Sequence, residues 1–155
     1  MSPRQHFSQV GFHELMHELL RFMQIQPSSN LPSEVYSFSF DDGKTEVNIF
    51  SEHPGRLDML VLAGVMKEPT VVVLRNLLGM NPYIQGDFPL GIGVDPASGK
   101  VTLWTRHSLE ELDVRKLASL LTTVLDHAAT VQGHLNASPA PSGPRATRRQ
   151  QIFNW

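Results

Sequence analysis

The chain has 155 residues, of which 41% are hydrophobic, and this composition fits one globular domain large enough to bury its own core. It contains no Cys, which excludes disulfides, thiolate nucleophiles and Cys-based zinc sites. Three of its 13 basic residues lie in residues 136–155, so residues 1–135 hold 10 bases against 15 acids, a net charge of about −5. An acidic body argues against nucleic acid as a partner, because phosphates require clustered Lys and Arg.

The sequence also bears on where the protein acts. No run approaches the roughly 18 uncharged apolar residues that a membrane span needs. The start, MSPRQHFSQ, lacks the basic and apolar regions of a signal peptide. We therefore expect a cytoplasmic protein without membrane insertion, whose partner has a basic or mixed surface.

Residues 8–24 are predicted to form an amphipathic helix, because apolar side chains recur at three- and four-residue steps. Ser8 is a candidate N-cap. Pro27 and Pro32 end any helix and predict a loop. The apolar positions of the helix are Phe12, Leu15, Met16, Leu19, Leu20 and Met23.

A predicted hairpin follows, with apolar and polar residues in alternation. Residues 41–44 (DDGK) predict its tight turn, with Gly43 available for a positive φ. Residues 57–65 are apolar at nearly every position, which predicts a central strand covered on both faces. The alternating apolar residues of the hairpin are Tyr36, Phe38 and Phe40 on the first strand and Val47 and Ile49 on the return strand.

Residues 68–81 carry two competing signals. The three consecutive Val at residues 71–73 favour a strand, whereas Pro69 suits a first helical position and Gly79 a helix end. We predict a helix here. Residues 81–89 contain two Pro and one Gly and are predicted to form a loop.

Residues 90–135 are predicted to form a hairpin that leads into a long helix. The turn DPASGK at residues 95–100 has a Pro that presets the turn and a Gly that can adopt a left-handed conformation. Val101, Leu103 and Thr105 share one face of the second strand, and Trp104 lies on the other. Ser108 and Glu111 match a capping box at the helix start. The apolar stripe of the helix comprises Leu109, Leu112, Leu117, Leu120, Leu121, Val124, Leu125, Ala128 and Val131.

Two segments resemble known chemical motifs. Residues 13–17 match the zinc motif H-E-x-x-H, but both His lie on the polar flank of the helix, whereas a zincin points them into a cleft. Leu20 and Met23 stand where the metzincin pattern needs Gly and a third His. A third ligand from Glu52 or His53 stays open. Zinc hydrolysis is therefore kept as an alternative, and surface His residues are the favoured interpretation.

The Gly-rich turn at residues 93–100 has the spacing G-x5-G-K and leads into a strand, so it is not a phosphate loop. Asp41, Asp42, Glu110 and Glu111 lie in a turn and in a first helical turn, where acids are expected. We predict no catalytic, cofactor or metal site.

Residues 136–155 form a tail rich in Pro, Ser, Ala and Arg that cannot build a core. We therefore predict one domain at residues 1–135 followed by a flexible tail. A short docking segment for a partner or a membrane surface is the alternative to a disordered end. The residues that suggest docking are Arg148, Arg149, Ile152, Phe153 and Trp155.

The predicted order is helix, three strands, helix, two strands, helix: an α+β domain with a twisted, mainly antiparallel sheet flanked by helices. Local motifs are the Asp41-Asp42 turn, LLGMN at residues 77–81, DPASGK at residues 95–100 and LEELD at residues 109–113. Together they resemble the class I chaperones of type III secretion systems, the Tir chaperone (CesT) family, over roughly residues 8–135. The chain departs from that pattern in lacking aromatic residues late in the last helix and in its basic tail.

The resemblance implies a homodimer that holds the N-terminal segment of a secreted effector in an extended form, without consuming ATP. Such a segment can add main-chain hydrogen bonds along a sheet edge and place apolar side chains in grooves. For every candidate residue, packing in the core of the protomer is the competing interpretation. The partner-binding candidates are Phe12, Leu15, Met16, Leu19, Phe38, Phe40, Leu103 and Trp104, and the interface candidates on the second helix are Val72, Leu74, Leu77 and Leu78.

Two further questions stay open at this point. A dimeric adaptor of the same fold, serving proteins that are not secreted, is an alternative to the secretion chaperone. The tail could contact the export ATPase, a client or nothing.

Overall fold

The computed structural model of the chain describes residues 3–26, 33–80 and 90–136. The predicted loops at Pro27 to Pro32 and at residues 81–89, and the tail from residue 137, lie outside the described residues. The order of helices and strands confirms the predicted α+β arrangement. The elements are α1 (Pro3–Phe22), β1 (Val35–Phe40), β2 (Thr45–Phe50), β3 (Arg56–Val65), α2 (Val71–Met80), β4 (Leu90–Val94), β5 (Lys100–Ser108), a short 3-10 helix (Leu109–Glu111) and α3 (Val114–Asn136).

Within the described residues, five strands form one antiparallel sheet in the order β1-β2-β3-β5-β4. Successive side chains of a strand point to opposite faces, so the register assigns each residue to a face. We call the two faces inner and outer. The inner face includes the row Tyr36, Ile49, Met59 and Thr105, and the outer face includes the row Ser37, Asn48, Leu60, Trp104 and Gly91.

The helices cover the inner face. Helix α3 packs along β3 and against α1, and α2 packs against α3. The predicted stripe of α3 is buried at its central positions, which provides the apolar surface that holds the helix on the sheet. The main core side chains are Phe12, Met16, Leu19, Val47, Ile49, Leu57, Met59, Val61, Leu103, Leu117, Leu120, Val124 and Val131.

Both predicted hairpin turns form. In the first, Asp41, Asp42 and Gly43 all have positive φ, at 52°, 54° and 85°. In the second, Gly99 has a φ of 70°, and a Cβ there would lie 2.5 Å from the Met66 carbonyl oxygen, so the close approach requires Gly. Hydrogen bonds from the Ser98 hydroxyl and then from the Ala97 amide lower the pKa of the Asp95 carboxyl in this turn.

The predicted capping box at Ser108 does not form. The Ser108 side chain makes no capping hydrogen bond, and the chain passes through the short 3-10 helix before α3 begins. Asp113 caps α3 instead, because its Oδ1 accepts a hydrogen bond from the Lys116 amide at 2.8 Å. A carboxylate at the N-cap also interacts favourably with the helix dipole, so Asp113 fixes the start of the helix.

The other predicted helix starts also shift. Helix α1 begins at Pro3, so Ser8 lies inside it and is not an N-cap. Helix α2 begins after Thr70, whose Oγ1 accepts a hydrogen bond from the Val73 amide at 3.2 Å, and Pro69 precedes it. The prediction of a helix in this region is confirmed.

The expectation that β3 is covered on both faces is wrong. Its inner-face residues are buried beneath the helices, but Leu60 on the outer face is 37% exposed. The described elements provide no layer on the outer face, and periodicity could not reveal this because the strand is apolar at both sets of positions. Among the helices of the described residues, none combines the length and the hydropathy of a membrane span.

Candidate partner-binding groove

The eight candidate partner-binding residues separate into two groups. Six of them are buried within the protomer, in agreement with the core interpretation that the sequence left open. Phe40 is half-buried, and Trp104 is 52% exposed. The structure therefore leaves Trp104 and part of Phe40 accessible, and partner binding by the others stays a prediction. The six buried residues are Phe12, Leu15, Met16, Leu19, Phe38 and Leu103.

A groove of about 390 Å³ lies between α1 and the open end of the β1–β2 hairpin. Val35 and Phe50 face each other as the terminal pair of that hairpin, and both line the groove. This volume is in the range of pockets that enclose small ligands, which is enough for one or two side chains of a bound segment. The lining residues are Phe12, His13, Glu34, Val35, Phe50, Ser51 and Glu52.

Aromatic contacts hold the wall of the groove in place. The Phe12 ring packs edge-on against Tyr36, with ring centroids 5.8 Å apart. His13 Nδ1 lies 3.3 Å from the Tyr36 hydroxyl, within hydrogen-bond distance. These contacts join α1 to β1, and they show that the first His of the H-E-x-x-H segment contacts a tyrosine. Within the described ranges, no group of three His, Asp or Glu is placed to hold a metal ion.

The rim of the groove is acidic. Glu34 and Glu52 are both exposed, and among the described residues no cation pairs with Glu34. Glu52 has one distant cationic neighbour, since its Oε2 lies 3.9 Å from Arg106 Nη2. The groove therefore combines an apolar lining with two carboxylates open to solvent.

Arg106 lies beside the groove on the outer face and is held mainly by Asp58. Its Nε donates to Asp58 Oδ1, and this hydrogen bond raises the pKa of Arg106. Asp58 is largely buried, and its Oδ2 has no hydrogen-bond partner among the described residues. The stronger partner of Arg106 is therefore the buried carboxylate, which leaves the charge of Glu52 largely uncompensated.

Strand β1 also offers a main-chain edge next to the groove. In the described part of the chain, β1 pairs with β2 along one edge, and no strand pairs with its other edge. Unpaired amides and carbonyls on an edge strand are a template for an added strand. An extended segment placed along β1 would therefore run beside the groove at Val35.

A second apolar surface lies on the outer face around Trp104. The indole ring covers Gly91, where a Cβ would lie 2.4 Å from two of its atoms. Leu60, the neighbour of Trp104 on β3, is also partly exposed. Gly91 thus lets the ring lie flat on β4 and leaves its other side open to solvent.

The four interface candidates of α2 also divide. Val72 and Leu78 are 66% and 68% exposed, Leu74 is half-buried, and Leu77 is buried against the core. An amphipathic helix whose second apolar side is open to solvent is typical of an interaction surface. An interface role for Val72, Leu74, Leu77 and Leu78 stays a prediction, and Leu77 is also part of the protomer core.

The sequence predicted Phe12 as a partner-binding residue but not the other residues that complete the groove. Val35 and Phe50 were not singled out, because they flank the alternating positions of the hairpin rather than lie in its apolar set, and Glu52 was considered only as a third zinc ligand. The pairing of Val35 with Phe50 brings these two side chains together at the open end of the hairpin, beside α1. The available signal was the apolar residue at each open end of the predicted hairpin.

An antiparallel sheet with a free edge, an acidic and apolar groove beside it and exposed apolar side chains on a second surface define a protein-binding module. The chain belongs to the Tir chaperone protein (CesT) family, whose model matches residues 14–132. This match confirms the resemblance found in the sequence motifs. It assigns the module to the chaperones of type III secretion.

Solved structures have the same fold. A chain of the ExsC–ExsE complex is 25% identical with a TM-score of 0.68, and the match covers 84% of this chain and 98% of that one. A chain of the HopA1–SchA chaperone–effector complex is 19% identical with a TM-score of 0.63, covering 82% and 97%. A chain of the ExoT–SpcS complex from Pseudomonas aeruginosa is 22% identical with a TM-score of 0.59, covering 84% and 98%. No curated protein matches the chain.

Proposed function

We propose that this protein is a type III secretion chaperone that binds the N-terminal segment of one or more effector proteins and keeps it soluble and competent for secretion. Family membership supports the class of function. The observation that carries the binding mode is the groove at Val35 and Phe50 beside the unpaired edge of β1. The protein acts in the bacterial cytoplasm, without enzymatic activity and without a cofactor.

Binding at this site follows from ordinary strand and groove chemistry. The main chain of an extended client segment hydrogen-bonds to β1, and an apolar side chain enters the groove. The client loses conformational entropy when it becomes ordered, so apolar contacts are needed to offset that loss. The groove supplies such contacts through Phe12, Val35 and Phe50.

The protein is further proposed to act as a homodimer. Val72 and Leu78 on α2 are exposed apolar side chains that water solvates poorly. Burial of a Leu or Val side chain contributes about 1.5–3 kcal/mol, so a two-fold interface that uses these residues twice is stabilised substantially. Light scattering at micromolar concentration should give twice the mass of one chain, and a strict monomer would contradict the dimer.

A substitution in the groove tests the client site. Val35→Gln removes an apolar side chain from the groove without changing its charge. Since burying a Val contributes about 1.5 kcal/mol, client affinity should fall about tenfold. The matched control is Val65→Gln, because Val65 is 49% exposed on β3 while Val35 is 46% exposed on β1, and Val65 does not line the groove.

The measurement is co-expression of each variant with N-terminal fragments of the effectors encoded by the same bacterium, followed by titration of the fragment that co-purifies. Equal affinity of the two variants would show that the client binds elsewhere. Failure of every effector fragment to bind the unmodified chain would contradict the secretion function. Gene neighbourhood then distinguishes an adaptor outside secretion, since secretion chaperones usually lie beside their clients or the apparatus.

A further inference from the structure

The chain carries a segment whose chemistry matches the groove. Residues 148–155 (RRQQIFNW) place two Arg before three large apolar residues, and residues 137–155 contain three Arg and no acid. The groove presents the complementary set, with Glu34 and Glu52 at its rim and Phe12, Val35 and Phe50 in its lining. We propose that residues 148–155 bind in the groove of their own protomer and occupy it until a client displaces them.

The position of the end of α3 allows this contact. The side-chain amide of Gln132 donates a hydrogen bond through Nε2 to Thr45 Oγ1 at 2.9 Å. This contact places the last turns of α3 at the turn end of the β1–β2 hairpin. The groove lies at the other end of the same hairpin, whose six-residue strands span about 17–20 Å. Residues 137–148 reach at most about 40 Å when fully extended. The tether is therefore long enough to bring Arg148 to the rim with slack remaining.

Charge explains why the tail selects this groove. The body of the protein carries a net charge of about −5, with 10 bases against 15 acids in residues 1–135, so the tail is attracted to it in general. At the groove, Glu34 has no cationic partner among the described residues, and Glu52 has only the 3.9 Å contact to Arg106. Arg148 and Arg149 supply the missing cations, and the apolar residues that follow them enter the lined space.

A weak contact is sufficient because the segment is tethered. Solvent-exposed ion pairs contribute at most about 1 kcal/mol each, so the segment as a free peptide would bind poorly. A tether of this length raises the local concentration of the segment to the order of millimolar. The tail can thus cover the groove in the free protein and still yield to a client that adds main-chain hydrogen bonds along β1. The displacement step rests on the proposed function, but the contact between tail and groove does not.

Paramagnetic NMR on the full chain tests this proposal. The sequence has no Cys, so Gln150→Cys provides one site for a spin label in an otherwise label-free protein. Bound tail should broaden the amide signals of Val35, Ser51 and Glu52. It should spare Ala97 in the β4–β5 turn, at the opposite corner of the sheet. Uniform broadening, or none, would overturn the proposal.

Charge reversal identifies the cause of the contact. The double variant Glu34→Lys/Glu52→Lys should reduce the broadening at Val35 severalfold. The matched control Glu68→Lys/Asp126→Lys changes the net charge equally at exposed positions outside the groove and should leave the broadening in place. Broadening that persists in the first variant, or is lost equally in both, would overturn the assignment to the acidic rim.

A mixed sample distinguishes the protomer's own tail from that of another chain. Spin-labelled chains without isotope are mixed with isotope-labelled chains that carry no spin label. The proposal expects no broadening at the groove of the isotope-labelled chains, and broadening there would overturn it. Client co-purification is an independent readout, so a tail that fails to bind leaves the proposed chaperone function standing.

Discussion

Leu103 and Trp104 are neighbours in β5, yet they belong to two very different surfaces. Leu103 points to the inner face and is completely buried beneath the helices, whereas Trp104 points to the outer face and is half exposed. The same contrast holds in β3 between Met59 and Leu60. Burial of the inner face thus stabilises the fold of the protomer. The outer face and the groove retain exposed apolar area that a partner can bury.

Truncation of one residue on each face should show the largest difference. Leu103→Ala leaves a cavity in the core and should lower the free energy of unfolding by about 2–5 kcal/mol. Leu60→Ala removes a side chain that is already partly solvated and should lower it by about 1 kcal/mol or less. Urea unfolding of both variants at equal protein concentration measures the difference. Similar midpoints would mean that Leu60 on the outer face stabilises the fold as much as the buried Leu103 does.

How much of this contrast could be predicted depends on the strand. In β1 and β2, apolar and polar residues alternate, so the sequence correctly assigned Phe38, Val47 and Ile49 to one face. In β3 nearly every residue is apolar, so periodicity does not indicate which face of the strand is exposed to solvent. The neighbouring strand β5 indicates which face is open. Its Trp104 points away from the face of Val101 and Leu103 and shares the other face with Thr102 and Arg106.

The groove and the helix starts could not be predicted for a different reason. Both depend on contacts between residues that local rules treat separately. Ser108 and Glu111 satisfy the capping-box pattern, but the chain is extended at Leu112 and the helix starts at the next good cap, Asp113. Likewise, the acidic rim exists because Glu34 and Glu52 lie just beyond the paired ends of β1 and β2, where both line the groove.

The ion pair between Arg106 and Asp58 gives a second test of the difference between the two faces, with an effect of intermediate size. Arg106→Met removes the hydrogen bond to Asp58 and leaves a buried carboxylate with both oxygens unpaired. An unpaired buried acceptor destabilises the fold, so the urea midpoint should fall by more than in Leu60→Ala and by less than in Leu103→Ala.

The double variant Asp58→Leu/Arg106→Met is the control for this pair. Replacement of both partners by apolar side chains of similar size is often neutral or stabilising, so the double variant should recover most of the lost stability. If the double variant is less stable than Arg106→Met alone, the unpaired Asp58 carboxylate is not the cause of the lost stability.

The smallest expected effect concerns pH and comes from His107, next to Arg106 but on the inner side of β5. Burial lowers the pKa of His107 from its ordinary value of 6.5, and the Glu111 carboxylate offsets part of this change. The unfolded chain therefore takes up a proton at higher pH than the folded protein. The contribution of neutral His107 to the free energy of unfolding is complete above about pH 6.5 and is lost as the pH falls below that value.

The urea midpoint should accordingly decrease between about pH 7.5 and pH 5.5, and the decrease should be smaller in His107→Gln. Gln retains a polar group close to Thr105 Oγ1, which lies 2.8 Å from His107 Nε2, so the substitution removes the titration with little change in packing. His53→Gln is the matched control, since it replaces a His that is exposed in the β2–β3 turn. An equal decrease in all three proteins would assign the pH dependence to other groups, and would remove His107 from the account of how the inner face is stabilised.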